Sequence, residues 1–184
     1  MQRKPETEEE IYFKKQEMAQ RAKLREKMEA DARRLKLEQR RGELADVIKA
    51  LGFDGEKAKL FNLMPLVHVA WADGAISRKE RSMILGVVKA RGVQPGSEAF
   101  QMMESMLEEP PPPEFMEESL AILKQTLDGA EGTTLVELCV QVAEASGGFL
   151  GIGDRVDPKE REAIETIARA FGNDALRAVY RALH

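Results

Sequence analysis

Two carboxylates near the middle of the chain, Asp73 and Glu80, are the side chains best suited to chemistry. They flank an Asp-Gly turn signal and the start of a predicted helix. Carboxylate oxygens are hard ligands of the kind that Ca²⁺ and Mg²⁺ prefer, so the two could bind a divalent cation across the turn. Ser77 or backbone carbonyls would complete the shell. Such ions take six or more oxygens, however, and the segment lacks the Asp/Asn ladder of an EF-hand loop.

The same segment also has a purely structural interpretation. Asp73 and Gly74 would form the turn, Ile76 would pack into the core, and Glu80 would accept a hydrogen bond from the backbone of Ser77 in a capping box. Capping alone accounts for the spacing of these residues, so the sequence favours this interpretation over a metal site.

A glycine-rich segment, Gly147–Gly153, invites comparison with a phosphate-binding loop. No strand precedes it, and it has neither the GxGxxG spacing nor a Lys-Ser/Thr pair. Its apolar side chains, Phe149, Leu150 and Ile152, are too hydrophobic to be left in water. We therefore expect them to pack on the core, with a small plug that docks a partner as the alternative.

Cysteine and histidine are too few for a zinc site, and nothing that flanks Cys139 supports a nucleophile pair with His68. The chain has two His and one Cys, which excludes a Cys/His zinc set. Cys139 is expected to be an inert core thiol, and His68 and its repeat equivalent Gln141 to make internal hydrogen bonds. Because no motif with a catalytic mechanism is present, the chain is predicted not to be an enzyme.

These residues lie in a sequence that contains an internal repeat. The register holds without a gap from Glu80 to Gly92 and from Glu160 to Gly172, with the Glu, the Arg and the closing Gly identical. Such self-similarity predicts a duplicated helix–loop–helix unit. The copies are placed at about 56–108 and 130–184, with a Pro-rich spacer at 110–113.

No segment alternates as a strand does, so the body is predicted to be a pseudo-symmetric all-α domain. Ser77-Arg78-Lys79-Glu80 is a capping box that opens one helix, and Asp157-Pro158-Lys159-Glu160 opens the equivalent helix of the second copy. The two helices are expected to end at Gly92 and Gly172. The predicted helices of the body cover 46–51, 54–72, 77–92, 97–107, 114–127, 134–145, 157–172 and 174–183.

The N-terminal part of the chain differs from the rest. Residues 6–41 contain no Gly or Pro and are rich in helix formers, so 1–42 is predicted to be a charged helical arm and 43–184 the body. The arm has 13 basic and 9 acidic residues, and the body 15 and 23. An acidic body disfavours a nucleic-acid partner. The apolar residues of the arm do not keep a heptad, which leaves open a solvated helix or a loose stripe that docks on a partner.

Composition favours a soluble, cytoplasmic protein. A single cysteine fits a reducing compartment, and no signal peptide is visible. The longest apolar segment, 60–72, is shorter than the roughly 20 residues that a bilayer span needs.

The segment Ala72-Asp73-Gly74-x-Ile76-Ser77-x-x-Glu80 resembles the signature of the tellurite-resistance TerB-like helical family, and the resemblance extends over about 56–184. It implies an all-helical domain of two related halves, with an acidic surface and a metal or partner role in membrane-associated stress complexes. Asp73 and Glu80 match the acidic positions of the family. The second copy departs from the pattern, because Ser146 stands where the first has Asp73.

The predicted function is therefore a non-enzymatic, TerB-like interaction or adaptor module in a stress-response complex. Its expected partner is a protein, held by the N-terminal helix or the acidic body, and any membrane association would be indirect, through that partner. The alternative is a divalent-cation binding or sensing domain centred on Asp73 and Glu80. A divalent cation would then be its cofactor.

Overall fold

The computed structural model describes residues 8–146 and 156–183, and every regular element in those ranges is helical. The predicted all-α fold class is therefore confirmed. None of the described helices combines the length and apolarity that a bilayer span requires. The helices are α1 (Glu8–Ala50), α2 (Ala58–Phe61), α3 (Met64–Ala70), α4 (Arg78–Ala90), α5 (Glu98–Glu108), α6 (Pro113–Thr126), α7 (Gly129–Ser146), α8 (Pro158–Phe171) and α9 (Asn173–Leu183), with a 3₁₀ turn at Gly55–Lys57.

The chain divides into two units, residues 1–45 and 46–184, and α1 continues across the division. Because α1 runs through Gly42 to Ala50, the separate short helix predicted at 46–51 is wrong. One glycine inside a helix costs about 1 kcal/mol relative to alanine. The strong helix formers around it can absorb that cost.

Within the first unit, α1 is a solvated helix reinforced by charge pairs one turn apart. Arg21 lies 2.7 Å from Glu17, and Arg33 lies 3.8 Å from Glu29. Exposed pairs of this spacing each stabilise a helix by about 0.3–0.5 kcal/mol. Several large apolar side chains of the unit are exposed as well: Tyr12, Phe13, Met18, Leu24, Met28, Leu35 and Leu37.

In the second unit, the single helix predicted over 54–72 is wrong, because the segment is broken into the 3₁₀ turn, α2 and α3. Pro65, in the first turn of α3, explains the break. Proline has no N–H to donate, and its ring would clash with the carbonyl of Phe61 in a continuous helix. Helix α3 is buried nearly all round, and its buried residues are Met64, Pro65, Leu66, Val67, Val69 and Ala70.

Helix α7 is central to the second unit, since it packs against α3, α4, α8 and α9. It begins at Gly129, five residues before its predicted start. Gly132, which lies outside the predicted helix, is a packing residue of α7. A Cβ built on Gly132 would lie 2.7 Å from the ring of Phe171, so only glycine lets the two helices approach this closely.

Candidate functional site

Helices α4 and α8 both begin with a capping box, as the sequence predicts. Before α4, the Ser77 N–H donates to Glu80 Oε2 at 2.7 Å, and the Glu80 N–H donates to Ser77 Oγ at 3.2 Å. Before α8, the Asp157 N–H donates to Glu160 Oε2 at 3.1 Å, and the Asp157 side chain caps the new helix. In each glutamate, therefore, Oε2 accepts a hydrogen bond from the backbone of the N-cap residue, and Oε1 takes no part in the capping box.

The two glutamates are buried and lie next to each other. Glu80 and Glu160 are each 1% exposed. Their Oε1 atoms are also buried, and neither has a hydrogen-bond partner among the described residues outside the pair. Ser146, the last residue of α7, lies beside them, with its Oγ 3.5 Å from Glu160 Oε2. The Ser146 hydroxyl donates to the Ala143 carbonyl at 2.7 Å, so its lone pairs remain available at this site.

Burial and proximity give Glu160 an unusual proton affinity. Burial raises the pKa of the Glu160 carboxyl to about 8, and the hydrogen bond with the Glu80 carboxyl adds to the rise. The negative charges of Glu80 and Asp73 act in the same direction, whereas the Asp157 N–H opposes it. The pair therefore holds a proton more tightly than an exposed carboxyl does.

Asp73, the other carboxylate that the sequence singled out, lies in the turn before α4. Its Oδ1 accepts a hydrogen bond from the Ala75 N–H at 2.9 Å, and Gly74 adopts the positive φ of 96° that favours glycine. The side chain is exposed, and its charge acts on Glu160. Asp73 therefore forms the predicted turn and also contributes to the field at the buried pair.

The donor set fits a hard divalent cation better than a softer metal such as Zn²⁺ or Cu²⁺. Two carboxyls and one hydroxyl offer only oxygen, which suits Ca²⁺, Mg²⁺ or Mn²⁺. Among the residues that the structure describes, no three His, Cys, Asp or Glu side chains converge as a ready ligand set. An ion held by Glu80 and Glu160 would need water or other oxygens for the rest of its shell.

Sequence reasoning named Asp73 and Glu80 but missed Glu160 as the neighbour of Glu80. The signal was present, because Glu80 and Glu160 are aligned in the internal repeat. Phe149, Leu150 and Ile152, predicted to pack on the core or, as the alternative, to dock a partner, lie outside the described residues. Val156, which follows that segment, is buried at 2% exposure and occupies the repeat position of the half-buried Ile76.

The remaining candidates have structural surroundings. Cys139 is a free, fully buried thiol, and burial raises its pKa, as expected for an inert core cysteine. The prediction of internal hydrogen bonds for His68 and Gln141 is wrong. Gln141 is exposed, and His68 is half-buried in a surface groove of about 660 Å³ that Trp71 also lines. Burial lowers the pKa of His68, although the charge of Glu117 opposes the change.

Comparison with known proteins agrees with the helical architecture. The family model described as tellurite resistance protein TerB matches residues 63–178, a range that contains α4, both buried glutamates and most of α9. Comparisons with curated proteins and with solved structures return no match. Because the family model covers more than half of the chain, the protein belongs to the TerB family.

Proposed function

We propose that the second unit is a non-enzymatic, divalent-cation-binding helical module with Glu80 and Glu160 as ligands. The observation that supports this most strongly is the pair itself: two adjacent carboxyls, each 1% exposed, with Oε1 atoms that have no hydrogen-bond partner outside the pair. Two carboxylates cannot both stay ionised in a buried site without a positive charge between them. A shared proton would neutralise one of the two negative charges, and a divalent cation would neutralise both.

The capping boxes prepare the pair for an ion. Backbone N–H groups hold Oε2 of each glutamate, at 2.7 Å for Glu80 and 3.1 Å for Glu160, so both side chains are fixed before any ligand arrives. Little side-chain entropy would then be lost on binding. Asp73 adds negative charge near Glu160, which favours a cation over an anion at this place.

Thermal unfolding with added Ca²⁺, Mg²⁺ or Mn²⁺ tests the proposal. An ion at about 100 times its Kd adds about 2.7 kcal/mol to the stability, which should raise the Tm by about 5–10 °C. The Glu160→Gln variant keeps an oxygen for the Asp157 cap but loses the charge, and we expect its Tm to be unmoved by the ion.

The chain offers a matched control at the start of α7. Asp128 and Glu131 form a third capping box, with N–H to carboxyl distances of 3.0 and 2.8 Å, but Glu131 is exposed. Glu131→Gln makes the same chemical change without touching the buried pair, so it should respond to ions as the parent does. A parent Tm that no divalent ion raises, or an equal rise in Glu160→Gln, would rule out this site.

A second function, protein docking through α1, is supported by the exposed apolar residues of the first unit. Seven large apolar side chains between Tyr12 and Leu37 are between 48% and 70% exposed. Water-exposed side chains of this size favour an adaptor role in which a protein covers part of the helix. Pull-down with the full chain and with residues 46–184 tests it. Recovery of the same partners by both, or of none by either, would show that the helix has no docking role.

A further inference from the structure

A surface groove of about 660 Å³ on the second unit serves neither of the proposed functions. It is formed by the end of α3, the proline-rich spacer before α6, the start of α6 and the first half of α8. Trp71, Pro111, Met116 and Ala163 supply its apolar lining, and we call it the Trp71 groove. Because its residues come from several segments of one unit, the groove is a feature of the folded domain and not of a single loop.

The walls of the Trp71 groove are held in place before any ligand arrives. The Trp71 indole N–H donates to the Met106 carbonyl at 2.9 Å, which fixes the ring. Met116 is buried, and the proline rings of the spacer are rigid. Trp71 itself is only half-buried, so part of its ring remains open to a ligand. A preformed aromatic surface of this kind loses little side-chain entropy on binding.

The charges of the lining favour a cationic ligand. Among the described residues that line the groove, Glu117 and Glu162 are exposed carboxylates and Lys159 is the single lysine or arginine. Neither carboxylate forms an ion pair with another described residue. Burial lowers the pKa of His68, although the charge of Glu117 opposes the change. The imidazole is therefore uncharged at neutral pH and adds no positive charge to the groove.

The acidic character of the body reinforces this preference, since residues 43–184 contain 15 basic and 23 acidic side chains. A negative field attracts cations toward the groove. Arginine fits the lining better than lysine, because its planar guanidinium stacks on an indole and pairs with carboxylates through two parallel hydrogen bonds. Its methylene stem can also pack on apolar surface such as that of Pro111 and Met116.

We propose that the Trp71 groove binds an arginine side chain on an extended segment of a partner protein. The guanidinium packs against the Trp71 indole and hydrogen-bonds with Glu117 and Glu162, and apolar residues next to that arginine contact Pro111 and Met116. Small-molecule sites enclose most of their ligand, whereas this groove is open to solvent, so it suits a stretch of chain. The inference rests on neither the carboxylate pair nor α1.

Trp71 is the only tryptophan of the chain, so its fluorescence reports on the groove. Titration of the full chain with the blocked peptide acetyl-Ala-Leu-Arg-Leu-Ala-amide should give a saturable change in emission. The same peptide with citrulline, a neutral side chain of the same shape, in place of arginine should bind at least about tenfold more weakly. Equal affinities would mean that the groove has no preference for a cation, and would overturn the inference. The absence of a saturable change with the arginine peptide up to millimolar concentrations would do the same.

Single-charge variants test the location of the site. Glu117→Gln and Glu162→Gln should each weaken binding of the arginine peptide by about threefold to tenfold, because each removes one negative charge from the groove. Lys159→Gln removes the positive charge and should strengthen binding by about twofold to threefold. Glu118→Gln is the matched control, since Glu118 is an exposed neighbour on α6 that does not line the groove. It should leave the affinity within about twofold.

Two results would assign the peptide or the groove differently. If Glu118→Gln weakens binding as much as Glu117→Gln does, the overall acidity of the unit attracts the peptide, and the groove is not its site. If the emission of Trp71 changes with protein concentration in the absence of peptide, a second copy of the chain covers the groove. Either result would overturn the inference.

Discussion

The start of α7 and the paired starts of α4 and α8 use the same hydrogen-bonding motif in opposite surroundings. In each, a glutamate three residues after the N-cap accepts a hydrogen bond from the N-cap backbone. Glu131 of α7 is exposed, whereas Glu80 and Glu160 are 1% exposed and adjacent. The motif fixes where the carboxyl lies, and the surroundings decide whether that carboxyl can do more than cap a helix.

Because of this difference in burial, a capping glutamate can either only stabilise its helix, as Glu131 does, or also be available for a further role, as we propose for Glu80 and Glu160. Water solvates the outward oxygen of Glu131, which makes its box an ordinary local stabiliser. The corresponding oxygens of Glu80 and Glu160 have only each other, so the pair must take up a proton or a cation. Buried polar groups that lack ordinary partners deserve a functional explanation.

Alanine substitution should give the largest difference between the two kinds of box. Glu80→Ala leaves the part-buried Ser77 N–H without its acceptor and opens a void, so we expect a loss of about 2 kcal/mol in the free energy of unfolding. Glu131→Ala removes a hydrogen bond that water can replace, and its cost should be less than about 1 kcal/mol. Urea unfolding measures both losses in the free energy of unfolding. It should be done below the pKa of Glu160, so that Glu80 and Glu160 are not both charged in the parent. Equal losses would contradict the contrast.

The pH dependence of stability should show the next largest effect. The folded pKa of Glu160, about 8, lies above the usual value near 4.3, so the folded protein binds more protons than the unfolded chain between these limits. Stability from this group is complete below the lower limit, falls as pH rises toward 8, and then levels off. The same urea unfolding from about pH 5 to about pH 9 should therefore show a decline in the parent that is smaller in Glu160→Gln.

Glu131→Gln provides the control for that decline. Because Glu131 is exposed and its box is separate from the pair, this variant should follow the pH profile of the parent. A parent profile that coincides with that of Glu160→Gln would mean that Glu160 titrates like an ordinary carboxyl in the folded protein.

Asp73→Asn should produce the smallest effect. The amide oxygen can still accept from the Ala75 N–H, so the turn should persist, but the negative charge that acts on Glu160 is gone. The pH at which stability levels off should therefore shift downward by a fraction of a unit. Asp128→Asn, at the exposed cap of α7, should leave the pH at which stability levels off unchanged. An identical profile for Asp73→Asn and the parent would remove Asp73 from the site.

The features of the fold that depend only on residues close together in the sequence could be predicted from it. The capping boxes at Ser77 and Asp157 and the helix ends at Gly92 and Gly172 are local events, and the structure has them as expected. The apolar run over 60–72 predicts one continuous helix, whereas Pro65, which has no N–H to donate, breaks it.

The carboxylate pair could not be found by local reasoning, because Glu80 and Glu160 are eighty residues apart in the sequence. Capping was predicted for each of them separately, and nothing in either segment indicates that the other lies beside it. The alignment of the two glutamates in the internal repeat was the available clue. Packing of α4 and α8 around α7 is what turns equivalent positions into neighbours.

The most direct test of the cation proposal counts protons released on binding. Isothermal titration calorimetry with Ca²⁺ or Mn²⁺, in buffers of different ionisation enthalpy, should show binding to the parent with close to one proton released per ion below the pKa of Glu160, about 8, and fewer above it. Glu160→Gln should show no such binding, and Glu131→Gln should match the parent. If the parent gives no binding heat in any buffer, or if Glu160→Gln binds with the same proton count, the buried glutamate pair is not a cation site.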